Sequence, residues 1–298
     1  MADLVIARQE NDSPLRDFAA RHGLHESGLR PSLPAYAREV FAYRHFMAVY
    51  ANAKVVAGFG QTRLGRLWQV MTPVINAGVY YLIFGVVINT RAGVPNFIAY
   101  LCVGLFVFNF SQTVVQQAAQ AISGNLGLLR ALRFPRASLP IAAVLSQMQH
   151  MAAAMVVLAG IVLLSGEPLT WHWLLLVPTL ILQSLFNTGL ALVVARLGGR
   201  TADLRQVIPF VMRTWMYGSG VFYSVNNFAE NLPAALATAV RVNPLLVYVE
   251  LARDALVESS PLSSSRPVLW ALGVGWALVV ALGGFIFFWH GEQTYGRG

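Results

Sequence analysis

Lysine is almost absent from this sequence of 298 residues, in which Lys54 is the only lysine and the other basic residues are arginines. An ATP-binding P-loop needs a lysine within Gly-Lys-Ser or Gly-Lys-Thr to hold the phosphates, and Lys54 is followed by Val55. The chain is therefore predicted not to hydrolyse ATP by that motif. The preference for arginine also indicates a genome rich in G and C.

Cysteine and clustered metal ligands are scarce as well. Cys102 is the single cysteine and lies in an apolar run, which excludes a disulfide within the chain. Among six scattered histidines only His22 and His25 approach ligand spacing, so we predict no metal site and no cofactor in this chain. Glu167 and Asp203 fall in predicted loops. The lack of membrane carboxylates argues against an ion-driven transporter and against an enzyme acting on phosphate or sugar.

Charged residues make up 11% of the chain, whereas apolar residues make up 56%, and the mean hydropathy is +0.57. A soluble fold could not hide that much apolar surface from water. We therefore predict an all-α integral membrane protein that crosses the bilayer several times. The net charge of +8 lies in loops and in the N-terminal tail. It indicates membrane topology and no nucleic-acid partner.

Six apolar runs predict six transmembrane helices, because a helix needs about 20 residues to cross the hydrocarbon. The fifth run is the shortest and is interrupted by Arg213. The runs cover about 68–89, 96–122, 137–164, 171–195, 206–223 and 268–290. Most of the 21 basic residues lie on one side of this arrangement, which places both termini in the cytosol.

The N-terminal region divides into two parts before the membrane domain, 53–298. Residues 1–33 form a polar tail without the apolar run of a signal peptide. Residues 34–52 repeat apolar and aromatic side chains at steps of three and four, which predicts an amphipathic helix in the membrane interface. The alternative is a soluble helix packed on a partner. The repeated positions include Tyr36, Val40, Tyr43 and Met47.

A short basic segment, 124–136, separates the second and third runs. It predicts one or two turns of amphipathic helix ended by Phe134-Pro135. The alternative is a basic loop that only fixes topology, but leucines at the water interface favour docking into a soluble partner. The residues predicted to dock are Leu126, Leu128, Leu129, Arg130, Arg133, Phe134, Pro135 and Arg136. The interfacial helix at 34–52 is expected to flank the same contact.

The connection between the fifth and sixth runs predicts two short helices, about 229–241 and 244–257, separated at Asn243-Pro244. Each helix has about 13 residues and a length near 20 Å, too short to cross a bilayer. The spacing of Glu250 and Arg253 predicts an ion pair on one face. We expect re-entrant or interfacial helices at the outer mouth. An ordered extracellular hairpin is the alternative.

Several segments together resemble those of ABC-2 type polysaccharide export permeases. They keep the family's order from about residue 34 to the end, although Gly220 stands where the family usually has proline. The similar segments are Leu64-Gly65-Arg66-Leu67-Trp68 with Pro73 and Tyr80 to Gly85, Phe134-Pro135-Arg136 with Leu139-Pro140, Gly220-Val221-Phe222-Tyr223-Ser224, and Asn243-Pro244 with Arg253.

The resemblance implies a homodimer in the bacterial cytoplasmic membrane, in which each subunit carries a cytosolic ATPase that binds ATP and Mg. The implied cargo is lipid-linked polysaccharide such as O-antigen, teichoic acid or cell-wall galactan, and the arginine preference favours the mycobacterial galactan exporters. The chain itself is then a transport subunit and no enzyme. Two alternatives remain open: an ABC-2 exporter of drugs or small lipids, and a membrane glycosyltransferase subunit.

A conduit for a sugar chain should be lined by aromatic rings, which stack on the C–H faces of sugars. We expect Arg213 to meet the diphosphate of the lipid carrier; the alternative is that it reaches toward the inner surface or pairs within the protein. The outer mouth is expected to be closed by 229–257, including Asn243, Pro244, Glu250 and Arg253. The aromatic residues predicted to line the path are Tyr80, Tyr81, Phe84, Phe106, Phe110, Phe210, Tyr217, Phe222 and Tyr223.

Overall fold

The computed structural model describes residues 31–59, 71, 74–76, 78–79, 81–87, 94–199, 201, 203–226, 233–258 and 260–292. Over these residues the chain is helical and has no strand, which confirms the all-α prediction for the described part. The α-helices are α1 Leu33–Ala42, α2 Arg44–Phe59, α3 Phe97–Ala118, α4 Leu126–Ala131, α5 Ser138–Leu164, α6 Leu176–Gly198, α7 Leu204–Tyr217, α8 Ala234–Arg241, α9 Pro244–Leu256 and α10 Arg266–Gly291. Short 3-10 turns cover Ser123–Asn125 and Trp171–Leu175, and Tyr81–Val87 forms a π-helix.

Four helices of the described residues are long and apolar enough to cross a membrane. They are Phe97–Ala118, Ser138–Leu164, Trp171–Gly198 and Arg266–Gly291. These correspond to the predicted second, third, fourth and sixth spans, and they support a protein that crosses the membrane several times. In the predicted first span, 68–89, residues 68–70, 72–73, 77, 80 and 88–89 lie outside the described residues, and the described part includes the π-helix Tyr81–Val87.

The predicted fifth span differs from the structure in its second half. Helix α7 ends at Tyr217, and residues 218–223 form a turn, so the prediction of one helix through 206–223 is wrong there. Gly220 adopts a φ of +60°, a left-handed conformation that a helix does not contain. With 14 residues α7 is about 21 Å long, short for a complete span. A total of six spans stays a prediction.

The predicted break at Asn243-Pro244 is confirmed, because α8 and α9 meet there at an angle of 61°. Pro244 occupies the first turn of α9, and the Asn243 side chain caps the helix by accepting a hydrogen bond from Leu245 N at 3.2 Å. Helix α9 is buried along most of its length. Placement of this pair as re-entrant helices stays a prediction.

The core of the molecule lies around α3, which packs against α5, α6, α7 and α9. Helices α6 and α10 approach each other most closely at Gly189 and Gly284. A Cβ at Gly284 would overlap the backbone carbonyl of Gly189, so only hydrogen atoms separate the two backbones there. Small residues at such contacts are typical of helices that pack in membranes.

The predicted helix at 34–52 is present but divided. The chain breaks at Tyr43 between α1 and α2, and α2 continues to Phe59. The predicted stripe faces the chain's own helices: Tyr36, Val40 and Met47 are buried among residues of α5, α6 and α10. The apolar face of this region is therefore buried by contacts within the protein. A position in the membrane interface stays a prediction.

Candidate functional site

The segment between α3 and α5 forms a cap at one end of the helix bundle. Its leucines divide by exposure: Leu128 and Leu129 pack inward, whereas Leu126 and Leu132 are 37% and 52% exposed. Arg130 and Arg133 are also exposed. We call the side chains of Leu126, Arg130, Leu132 and Arg133 the α4 surface. Two exposed leucines and two exposed arginines lie on this short segment, a composition typical of a protein-docking surface.

Helix α2 supports the α4 surface from behind. The ring of Phe134 packs on that of Phe46, with centroids 4.9 Å apart. Tyr43 Oη donates a hydrogen bond to Arg133 O at 3.2 Å, and Tyr50 Oη donates to Asn125 Oδ1 at 2.6 Å. These contacts hold both ends of the segment in place. A movement of the α4 surface is therefore transmitted to α2.

A second support joins both ends of the chain to the start of α5. The hydroxyl of Tyr36 donates to a carboxylate oxygen of Glu292. The other carboxylate oxygen accepts from Arg136 N at 3.1 Å, and Arg136 Nη1 donates to Glu292 O at 2.6 Å. Burial raises the pKa of Glu292, while the bonds from Tyr36 and Arg136 partly oppose that rise.

Arg253 organises the opposite half of the molecule. It is fully buried on α9, and its guanidinium donates to three backbone carbonyls: Tyr100 O at 3.1 Å, Gly220 O at 3.0 Å and Val221 O at 2.9 Å. The predicted ion pair with Glu250 is wrong, because Glu250 instead accepts from the backbone and hydroxyl of Ser263. The arginine satisfies carbonyls that the turn after α7 leaves without helical partners.

Asn243 holds the same turn from the other end of α9. Its Nδ2 donates to Gly218 O at 2.9 Å, and its Oδ1 accepts from Trp215 Nε1 at 2.9 Å. Tyr100 Oη adds a bond to Tyr223 O at 3.0 Å. The turn at 218–223 is therefore held by Asn243 at the start of α9 and by Arg253 near its end.

Among the described residues no group of three or more histidine, cysteine, aspartate or glutamate side chains lies close enough to hold a metal ion. The described residues form an exposed basic and leucine-rich surface at one end of the bundle and a buried turn within it.

Comparison with known proteins decides the family. Residues 50–257 match the family model described as "ABC-2 type transporter", which is more than half of the chain. The chain belongs to the ABC-2 type transporter family.

Three relatives are similar over most of their length. The chain is 26% identical over 209 residues to the O-antigen export system permease protein RfbA of Myxococcus xanthus, with 70% of this chain and 79% of that protein covered. It is 21% identical over 229 residues to the protein of the same name from Klebsiella pneumoniae, covering 76% and 86%. It is also 25% identical over 200 residues to the polysialic acid transport protein KpsM of Escherichia coli, covering 67% and 76%.

In this ABC-2 protein the predicted docking residues lie together, but they divide into exposed and supporting groups. Pro135, Tyr36, Val40 and Met47 are buried, so any role in docking goes through packing. Tyr43 is half-buried and acts through its bond to the Arg133 carbonyl. Their part in binding an ATPase stays a prediction.

The aromatic residues predicted to line a path separate into two groups as well. Phe106, Phe110 and Phe222 are 3%, 4% and 1% exposed and pack in the core of the single subunit. Phe210 and Tyr217 are 72% and 48% exposed, on the face of α7 opposite its buried methionines. Arg213 is exposed, while Tyr81 and Tyr223 are half-buried. Tyr80 and the side chain of Phe84 lie outside the described residues.

Sequence reasoning missed two polar groups of this ABC-2 protein. Glu292 lies 256 residues from Tyr36 along the chain, and no local pattern connects them. Glu167 is buried and accepts from Asn96 Nδ2 at 2.9 Å and from Glu258 N at 3.0 Å. An acidic residue in a short apolar loop is the only signal that could have indicated the second group.

Proposed function

We propose that this chain is the permease subunit of an ATP-driven exporter that moves polysaccharide across the bacterial cytoplasmic membrane. The observation that carries the proposal is the family match over residues 50–257. The relatives named above support it, because they are O-antigen and polysialic acid transport proteins and this chain covers more than two thirds of each.

The partner in this proposal is a cytosolic ATPase that binds ATP and Mg and docks on the α4 surface. Support comes from the geometry: two leucines and two arginines are exposed on a segment that Phe46 and Tyr50 hold in place. A rigid cap can transmit a movement of the partner to α2 and α5, whereas a flexible loop would not. Both termini are cytosolic in this arrangement, in agreement with the distribution of basic residues.

A second copy of the chain completes the exporter in our proposal. Helix α7 buries Ile208, Met212 and Met216 within the subunit and exposes Phe210 and Tyr217 on its other face. Such a face suits either lipid or a path between two subunits. We place the path of a lipid-linked polysaccharide there, with Arg213 near the charged group of the carrier.

The re-entrant placement of α8 and α9 is supported by a contact near the middle of α10. Trp276 Nε1 donates to Val242 O at 2.8 Å, and Trp276 lies 10 residues, or about 15 Å, beyond the start of α10 at Arg266. Arg266 itself pairs with Asp254 near the end of α9. The junction of α8 and α9 therefore lies more than a third of the way along a spanning helix, and the pair is suited to close the outer mouth.

Deletion of the gene in its own bacterium tests the proposal. The expected result is loss of surface polysaccharide with accumulation of lipid-linked glycan inside the cell, restored by the wild-type gene. Among glycans we favour galactan. Normal surface glycan with a change only in drug sensitivity would instead indicate an exporter of drugs or small lipids. Turnover of sugar nucleotides by the purified chain alone would indicate a glycosyltransferase subunit.

A further inference from the structure

A polar cavity lies between α2, α3 and α5, near the end of the bundle that carries the α4 surface. Its volume is about 480 Å³, within the range of small-molecule binding sites. Helix α2 contributes Lys54 and Gly58, the last turn of α3 contributes Gln116 and Gln117, the turn after it contributes Gln120, and α5 contributes His150. Two adjacent glutamines are unusual in a helix that is otherwise apolar and long enough to cross a membrane.

The lining of the cavity offers hydrogen-bond donors and one lysine but no carboxylate. Among the described residues no carboxylate forms a salt bridge with Lys54. The Ser146 hydroxyl donates to Ala143 O at 2.8 Å and lies 3.5 Å from Gln117 Oε1, so this contact does not use the N–H donors of the Gln117 amide. A cation together with amide donors is suited to a phosphate group.

The depth of the cavity indicates how a ligand reaches it. Gln120 lies just beyond the end of α3, whereas His150 lies 12 residues, or about 18 Å, into α5. The cavity therefore extends from the end of the bundle into the part of the molecule that the membrane surrounds. Basic pockets between transmembrane helices on the cytosolic side are sites at which lipid head groups bind.

We propose that this cavity binds the phosphate-bearing head of a membrane lipid, with Lys54 pairing with the phosphate and the α3 glutamines donating hydrogen bonds. The carrier of the exported polysaccharide and an ordinary phospholipid share this chemistry. The first of these sources rests on the proposed function. The second does not.

Binding to the purified full-length chain in a maltoside detergent, which carries no phosphate, separates the sources. The probes are polyprenyl diphosphate, phosphatidylglycerol and sodium pyrophosphate, each followed by native mass spectrometry. We expect phosphate-lipid binding to weaken about tenfold or more in Lys54→Gln, the usual effect of losing one charge-assisted hydrogen bond. Arg44→Gln is the matched control, because it removes an exposed cation from the same helix and should leave binding unchanged.

A second pair of variants tests the cavity by filling it. A Cβ at Gly58 meets no atom within 4 Å, and the same holds for Gly160 on α5. Gly58→Leu should therefore fold and weaken lipid binding, whereas Gly160→Leu should fold and bind normally. Unchanged binding by both Lys54→Gln and Gly58→Leu would overturn the site.

The three probes complete the test. Preference for polyprenyl diphosphate supports the carrier as ligand, and equal binding of both lipids supports a general phospholipid site. Sodium pyrophosphate that binds as tightly as the lipids would overturn the lipid assignment. The assay needs neither ATP nor polysaccharide, so lipid binding in a chain whose deletion leaves surface glycan intact would refute the proposed function and not the site.

Discussion

The guanidinium of Arg253 lies over the ring of Tyr100, with Cζ 3.3 Å from the ring centroid, while its Nε donates to the carbonyl of the same residue. Its other nitrogens donate to two carbonyls of the turn after α7. One side chain of α9 thus joins the first turn of α3 to the only part of the fifth predicted span that is not helical. The positive charge is held by carbonyl dipoles and an aromatic face, without a carboxylate partner.

Replacement of Arg253 by methionine should therefore destabilise the protein strongly. Methionine fills a similar space but removes three hydrogen bonds from a charged donor to buried carbonyls, two of which lie in the turn after α7, at a cost of about 3 kcal/mol or more. We expect a lower melting temperature in detergent and less folded protein on size exclusion. Arg266→Lys is the control, since the Arg266 side chain is 59% exposed and lysine keeps the charge that pairs with Asp254, so the loss should be less than about 1 kcal/mol. Equal melting temperatures for the two variants would contradict this role.

The α4 surface should couple ATP hydrolysis by the partner to transport. It should contribute little to the stability of the fold. Leu132→Ser combined with Arg133→Glu changes two exposed side chains, so the protein should insert and melt like the wild type. Transport-linked ATP hydrolysis by the complex should be abolished, because the apolar contact and the charge of the surface are both lost. Leu164→Ser is the control, as it changes a 91% exposed leucine at the other end of α5. Normal export by the double variant would show that the ATPase docks elsewhere.

Glu292 should make stability depend on pH. Since burial raises its pKa above the ordinary value of 4.5, the folded protein binds this proton more tightly than the unfolded chain does. The resulting stabilisation is complete below about pH 4.5 and is lost as the pH rises through the raised pKa. A melting-temperature series from pH 4 upward should show this decline in the wild type and a smaller one in Glu292→Gln.

The control for this series is Glu258→Gln, which removes an exposed carboxylate. It should follow the wild-type curve. A Glu292→Gln curve parallel to that of the wild type would mean that other groups account for the pH dependence.

The exposure of aromatic side chains on α7 and in the turn after it predicts which positions line the proposed path. On a background in which Cys102 is replaced by alanine, Tyr217→Cys should react with a water-soluble thiol reagent during ATP turnover, because that position is 48% exposed. Phe222→Cys should stay protected, since Phe222 is 1% exposed. Labelling of Tyr217→Cys by a lipid-soluble probe alone would place this face of α7 against lipid and move the path elsewhere.

The features that could be predicted from sequence depend on residues that are close together in the chain. Asn243-Pro244 carries both a helix cap and a helix-compatible proline, so the break between α8 and α9 could be placed to the residue. The repeat of Tyr36, Val40 and Met47 likewise marked a buried face, although not what covers it. Long apolar runs gave the spanning helices for the same local reason.

The features that sequence did not reveal depend on distant backbone atoms. The spacing of Glu250 and Arg253 favoured an ion pair, but the acceptors that Arg253 uses lie 32 to 153 residues away and are carbonyls, which every residue possesses. The end of α7 was missed because Gly218 and Gly220 lie within an apolar run, and the length of that run predicted a helix that continues through them. The link between Tyr36 and Glu292 joins opposite ends of the chain.

The contact between Gly189 and Gly284 limits how this transporter can move. No side chain lies between the two backbones at this point, so a separation of α6 from α10 would open a gap there that no side chain could fill. We therefore expect the two helices to move together. A passage for the cargo should then open at another helix boundary, and α7, which keeps Phe210 and Tyr217 exposed on one face, is the helix that we expect to move.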